Sequence, residues 1–204
     1  MGYATAATTS EATIQPLVGT TKEAFVLDGD ADRSRWTVRT FCDVSIERRR
    51  PETIAGMPSS LAEIAADFRD IDPADRLQLL LEFSDELPGL PQRYADAPEK
   101  LEQVHECQSP LFLAVEVGED AGVATEDQKV SLFFSAPPEA PTTRGFAGIL
   151  HEGLDGRTVA EVLAAEDQAP MTFGLAEVVS PLRMRGMVAM LSRIKRQVRL
   201  RTSV

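Results

Sequence analysis

Reactive side chains are scarce in this chain. Two cysteines, Cys42 and Cys107, and two histidines, His105 and His151, are spread over 204 residues. Cys107 stands in the run Val104-His105-Glu106-Cys107-Gln108-Ser109-Pro110, and four kinds of chemistry fit it. It could be a small buried hydrophobe, the commonest fate of a lone cysteine and the reading composition alone favours. It could bind metal with His105, although two Cys and two His so scattered give no zinc spacing. It could be a hydrolase nucleophile with His105 as base, because residues i and i+2 on a strand share a face. No third orienting group or oxyanion motif accompanies that pair. Finally, it could accept sulfur, since thiolate attack on a donor's persulfide needs only a reachable thiol and a docked donor. Glu106 disfavours a free-standing thiolate, so activation on docking is expected. Gln108 and Ser109 are placed to donate hydrogen bonds to sulfur, or are ordinary loop residues.

Other sequence signals exclude more than they assert. Arg144-Gly145-Phe146-Ala147-Gly148 holds a Gly-x-x-Gly spacing, but its flanks are not basic as an RNA-clamping loop requires. Close helix packing through small residues is the better account. There is no phosphate loop and no dinucleotide fingerprint. His151 reads as a surface or capping residue. The net charge of −11 argues against nucleic acid as the main partner. That charge is polarised. Residues 57–182 hold 7 basic and 24 acidic residues, a net of −17, whereas residues 183–204 hold 7 basic and none acidic. A basic C-terminal helix on an acidic body suggests a docking surface, although a solvated helix face explains it as simply. No apolar run is long enough to span a bilayer, no signal peptide opens the chain, and a cytoplasmic protein is expected. Two cysteines do not make a disulfide scaffold.

The elements that must position Cys107 are legible from hydrophobic period. Residues 1–56 show none and end in Arg48-Arg49-Arg50-Pro51; they are expected to be a poorly ordered extension or a start-site artefact, with the domain proper at 57–204. Ser60 is placed to cap a helix with Leu61, Ile64, Ala65 and Phe68 inward. Asp72-Pro73 opens a second helix buried through Leu77, Leu80 and Leu81, which Leu87-Pro88-Gly89 stops. Leu111, Leu113, Val115 and Val117 alternate as a strand does, as do Val130, Leu132 and Phe134. A weak third strand is expected near Gln103–Glu106. Phe146, Ile149 and Leu150 mark a helix that Gly153 is placed to end. Thr158 with Glu161 makes a capping box, and Ser180-Pro181 opens a last helix with Met187, Leu191, Ile194 and Val198 inward. Helices, strands, helices predict an α+β domain: an antiparallel sheet of about three strands with helices on one side.

Four segments, in order, then carry a resemblance. They are Glu82-Phe-Ser-Asp-Glu-Leu-Pro-Gly-Leu-Pro91, the Glu-Cys-Gln-Ser-Pro-Leu-Phe-Leu run around Cys107, Thr-Thr-Arg-Gly-Phe-Ala-Gly-Ile-Leu from Thr142, and Ser-Pro-Leu-Arg-Met-Arg-Gly-Met-Val-Ala-Met-Leu from Ser180. Together they resemble SufE-type cysteine desulfuration proteins over most of residues 60–200. The resemblance implies a SufE/IscU-like fold and a role as sulfur acceptor for a SufS-type cysteine desulfurase. It implies Cys107 as the persulfide-bearing residue and Arg183 as the supporting arginine at the start of the terminal helix. The expected sulfur recipient is a SufBCD-type iron–sulfur scaffold. No cofactor is expected on this chain, because pyridoxal phosphate belongs to the desulfurase; the carrier would be a monomer or homodimer. Two positions depart from the family pattern: Glu106 replaces a common glycine, and Leu182 a small polar residue. Cys42 inherits no role. A cysteine hydrolase using Cys107 and His105, and an adaptor that carries no sulfur, are the rival functions. A carrier's thiol must also be sheltered, so Cys107 is expected to tuck against apolar neighbours at rest and swing outward on docking.

Overall fold

Residues 56–203 are described by the computed structural model of this chain; the expectations for residues 1–55, Cys42 included, lie outside them. Helices α1 (Ser59–Asp70), α2 (Pro73–Glu86) and the short α3 (Gln92–Ala95) come first. Strands β1 (Glu102–Gln103), β2 (Phe112–Val117) and β3 (Val130–Ser135) follow, and α4 (Pro141–Leu154), α5 (Val159–Ala164) and α6 (Pro181–Thr202) complete the domain. The order is the expected α+β one. The strands form one antiparallel sheet, β1-β2-β3.

Strand alternation decides what the sheet buries. Leu113 lies opposite Phe134, Val115 opposite Leu132 and Val117 opposite Val130. All but the partly buried Val117 are buried residues of one core shared with Phe68, Phe146, Ile149, Leu150 and the inner face of α6. Met187, Leu191, Ile194 and Val198 are each fully buried, as their spacing predicts. The opposite face is not bare. Tyr94 of α3 packs on Phe133 with ring centroids 5.0 Å apart, and the Arg93 guanidinium lies 4.9 Å from the Phe133 centroid. Because β1 has only two residues, β2 outruns it. The Gln197 side chain on α6 accepts a hydrogen bond from Val115 N at 3.0 Å, closing that edge.

Helix α4 is the hub, and its glycines explain why. A Cβ on Gly145 would overlap Leu80 and its carbonyl, one on Gly148 the Phe83 carbonyl, and one on Gly153 the Leu61 side chain. The Gly-x-x-Gly spacing is therefore a helix-packing device that lets α2 meet α4 backbone to backbone. Arg144 ties the seam, donating to Ser84 O at 3.1 Å and to Ala136 O at 3.1 Å.

Three local expectations change in this setting. The buried row of α2 is Arg76, Leu80 and Ser84, at intervals of four, so Leu77 falls off it and is 41% exposed. Ser60 does not cap α1. It lies inside the first turn, and its Oγ donates to Gly153 O at 2.6 Å. Gly153 does not end α4 but admits Leu61; the left-handed residue after the helix is Gly156, with φ 68°. The Thr158–Glu161 capping box and the Ser180 cap of α6 form as read.

Candidate functional site

Pairing of β1 with β2 forces the chain between them into a short loop. Val104 N donates to Leu111 O at 2.9 Å across its neck, and both residues are buried. Within it Cys107 N donates to Val104 O at 3.2 Å, a turn. The cysteine therefore sits on a turn past the end of β1. The strand geometry that would have aimed His105 and Cys107 the same way is absent.

The Cys107 side chain lies half-buried in a pocket of about 160 Å³ where α4 and α6 begin. Thr142, Thr143 and Phe146 line it from α4, and Arg183 and Gly186 from α6. Gly186 makes the seat possible: a Cβ there would stand 3.1 Å from the Cys107 Sγ. The glycine that the terminal segment carries thus lets a thiol rest against helix backbone. Arg183, exposed in the first turn of α6, reaches Thr142 Oγ1 at 3.5 Å. Among the described residues it forms no ion pair. Cys107 and Arg183, 76 positions apart in sequence, share one small cavity.

Electrostatics keep the resting thiol protonated. Burial, followed by the Glu106 carboxylate, pushes the Cys107 thiol up to about 11, against a smaller opposing pull from Arg193. This matches the sheltered resting state expected of the loop. Gln108 and Ser109 line the pocket, with no hydrogen bond to sulfur among the described residues.

Glu106, the departure from the family pattern, is held by α6. The Arg193 Nη2 donates to both its carboxylate oxygens, at 2.9 and 2.8 Å, and that bond chiefly holds the Glu106 carboxyl below the usual carboxylate range. The Arg193 Nη1 donates to Glu102 Oε1 of β1 at 2.5 Å. Glu102 also accepts from Arg196 Nη2 at 2.5 Å and from Gln197 Nε2 at 2.9 Å. Burial raises the Glu102 carboxyl, but these hydrogen bonds outweigh it and leave the group below its ordinary value. The basic face of α6 is therefore only partly solvated. Lys195 is itself buried, donating to Ala165 O and to Asp167 Oδ1 at 2.5 Å each.

His105 is exposed and lines no part of the Cys107 pocket, which removes the geometric basis of a Cys–His pair. His151 sits on α4 against Phe134, with ring centroids 6.5 Å apart. Among the described residues no group of three or more His, Cys, Asp or Glu side chains is placed to hold a metal ion, and no helix is long and apolar enough to cross a membrane.

The model of the SufE domain, described as an Fe–S metabolism associated domain, matches residues 62–198, and the chain belongs to the SufE family, with a role in iron–sulfur metabolism. Among individual proteins, it is 50% identical over 145 residues to an uncharacterized SufE-like protein of Mycobacterium tuberculosis, found in two strains, covering 71% of this chain and 95% of the relative. It is 24% identical over 147 residues to SufE-like protein 1, chloroplastic/mitochondrial, of Arabidopsis thaliana, covering 72% of this chain and 36% of that longer protein. The solution structure of a hypothetical protein from Thermus thermophilus superposes with a TM-score of 0.60 at 36% identity, over 72% of this chain and 99% of the other.

Reading the sequence singled out Cys107 and Arg183 but not Thr142, Gly186 or Arg193 as their neighbours. The only sequence signal for Arg193 was the concentration of basic residues in the last helix.

Proposed function

We propose that this chain is a persulfide carrier that stimulates a SufS-type cysteine desulfurase and passes sulfur to a SufBCD-type iron–sulfur scaffold. The observation that carries the reading is the seat of Cys107: a thiol half-buried in a small pocket at the N-termini of two helices, with Arg183 at its rim. A helix N-terminus and a guanidinium both favour a sulfur anion, while burial suppresses the thiolate until a donor arrives.

In the proposed step the Cys107 thiolate attacks the outer sulfur of the desulfurase persulfide. A new S–S bond forms on Cys107, the old one breaks, and its electron pair leaves on the desulfurase cysteine, which takes up the proton Cys107 gave up. No net oxidation occurs. The desulfurase regains its free thiol, so removal of the product restores its next cycle. Pyridoxal phosphate chemistry belongs to the desulfurase. Arg183 steadies the anionic sulfur or the docked partner.

The test is sulfide release by a SufS-type desulfurase with wild-type chain and with Cys107→Ser. Wild type should stimulate, and should gain about 32 Da on Cys107 when the desulfurase and L-cysteine are present, the mass of one sulfur atom. Cys107→Ser should fold, gain no mass and not stimulate. A serine variant that stimulates as well as wild type overturns the carrier reading in favour of an adaptor.

A further inference from the structure

We infer that Arg193 is a positioning residue that latches the Cys107 loop shut, gripping Glu106 on the loop while anchored to Glu102 on β1. The inference concerns the resting protein and needs only that Cys107 is the working thiol of the proposed function.

The geometry of Arg193 is that of a clasp with one fixed and one releasable end. Its Nη1 end holds Glu102, whose side chain is 22% exposed and which is held further by Arg196 and Gln197. Its Nη2 end takes both oxygens of Glu106, whose side chain is 48% exposed and has no other side-chain partner among the described residues. The guanidinium-bearing side chain itself is 21% exposed. Nη2 alone meets both Glu106 oxygens, a charge-assisted contact whose outer partner still sees solvent. Glu106 is the residue immediately before Cys107, so its grip sets where the thiol lies, and the seat against Gly186 follows from it.

The releasable end opens into a second cavity. A groove of about 700 Å³ lies between α6 and the 168–176 segment; Met171, Met184 and Val188 line it together with Glu106, Arg193 and Arg196. Glu106 and Arg193 both line that groove, so an anionic group entering it competes with Glu106 for the guanidinium. Exchange of one carboxylate for another at the same guanidinium would free the loop without exposing an unpaired charge, the cost that otherwise opposes breaking such a pair. The clasp thus converts contact on α6 into exposure of a thiol on the neighbouring loop.

Latching and simple charge effects make opposite predictions for one substitution. Arg193 is the cation that lowers the Cys107 thiol. If its role were only electrostatic, Arg193→Gln would weaken the thiolate and slow alkylation. If it latches the loop, Arg193→Gln exposes the thiol and accelerates alkylation. Return of the thiol from about 11 to the ordinary 9.0 would by itself raise the thiolate fraction about a hundredfold at about pH 8, and easier access adds to it. The experiment is the rate of Cys107 modification by iodoacetamide at about pH 8 in the isolated full chain carrying Cys42→Ser, with circular dichroism confirming the fold. Arg193→Lys is the companion variant. It keeps the charge, but a single ammonium cannot reproduce the two-armed fork, so it too should label faster than wild type. Faster labelling of both folded variants supports the latch. Labelling at or below the wild-type rate in Arg193→Lys, or in a folded Arg193→Gln, overturns it. No desulfurase is present, so the outcome is independent of whether sulfur is carried.

Discussion

Two glycine-mediated seams close this domain, and they are built for different purposes. Where α2 crosses α4, Gly145 and Gly148 bring backbone against backbone, and any added carbon would strike a carbonyl or Leu80. Where the Cys107 loop meets α6, Gly186 also makes room, but for a side chain, with 3.1 Å left between a hypothetical Cβ and the sulfur. The first seam is backbone packed on backbone, pinned by Arg144, and cannot open without losing the core. The second is held by a charged clasp on Glu106 and by shelter of one thiol. A scaffold that must not move is closed with dispersion and shape, and a site that must move is closed with polar contacts that a competitor can replace.

The sharpest way to break the comparison is to add one methyl group to each seam. Gly148→Ala should cost about 3 kcal/mol or more in urea unfolding, since the Phe83 backbone cannot yield as a side chain does. Gly186→Ala should change stability by no more than about 1 kcal/mol, because the loop can shift by a few tenths of an ångström and alanine favours the helix, while raising the alkylation rate of Cys107. Equal losses at the two positions would show that the loop is packed as rigidly as the core.

A smaller effect separates the seams by pH. The folded Cys107 thiol titrates near 11 against an ordinary 9.0, so the native state holds this proton more tightly than the unfolded chain. Its contribution to stability is complete below about pH 9 and is lost as pH rises through about 11. Urea midpoints of wild type should therefore fall more than those of Cys107→Ser between about pH 8 and about pH 10.5. Identical falls would mean that the thiol is not sheltered in the folded protein.

The smallest structural effect is expected at Arg183. Its side chain is exposed and reaches only Thr142 Oγ1, at 3.5 Å, so Arg183→Ala should change stability by less than about 1 kcal/mol. Stimulation of the desulfurase should nevertheless weaken. A stability loss large enough to account for the lost activity would make Arg183 a brace of the α4–α6 junction instead.

What could be read before folding follows from the range of each interaction. Capping, strand alternation and the inward stripe of α6 are settled within a few residues, so Thr158 with Glu161, Leu113 to Val117, and Met187 to Val198 were all legible in the sequence. The family motifs around Cys107 and Arg183 were legible for the same reason, as short contiguous patterns. Leu77, Ser60 and Gly153 were misread because their fates depend on a neighbouring helix rather than on their own. Leu77 lost its place inside when α4 took the Leu80 row, and Gly153 was needed for Leu61. The clasp was beyond sequence reading altogether. Glu102, Glu106 and Arg193 come together only because β1 pairs with β2 and α6 lies beside the loop that joins them. Short motifs shared with a family singled out Cys107 as the candidate thiol. Tertiary packing decided that it is sheltered, which groups share its pocket and what holds the loop closed, since burial and charge at one atom are sums over elements distant in sequence.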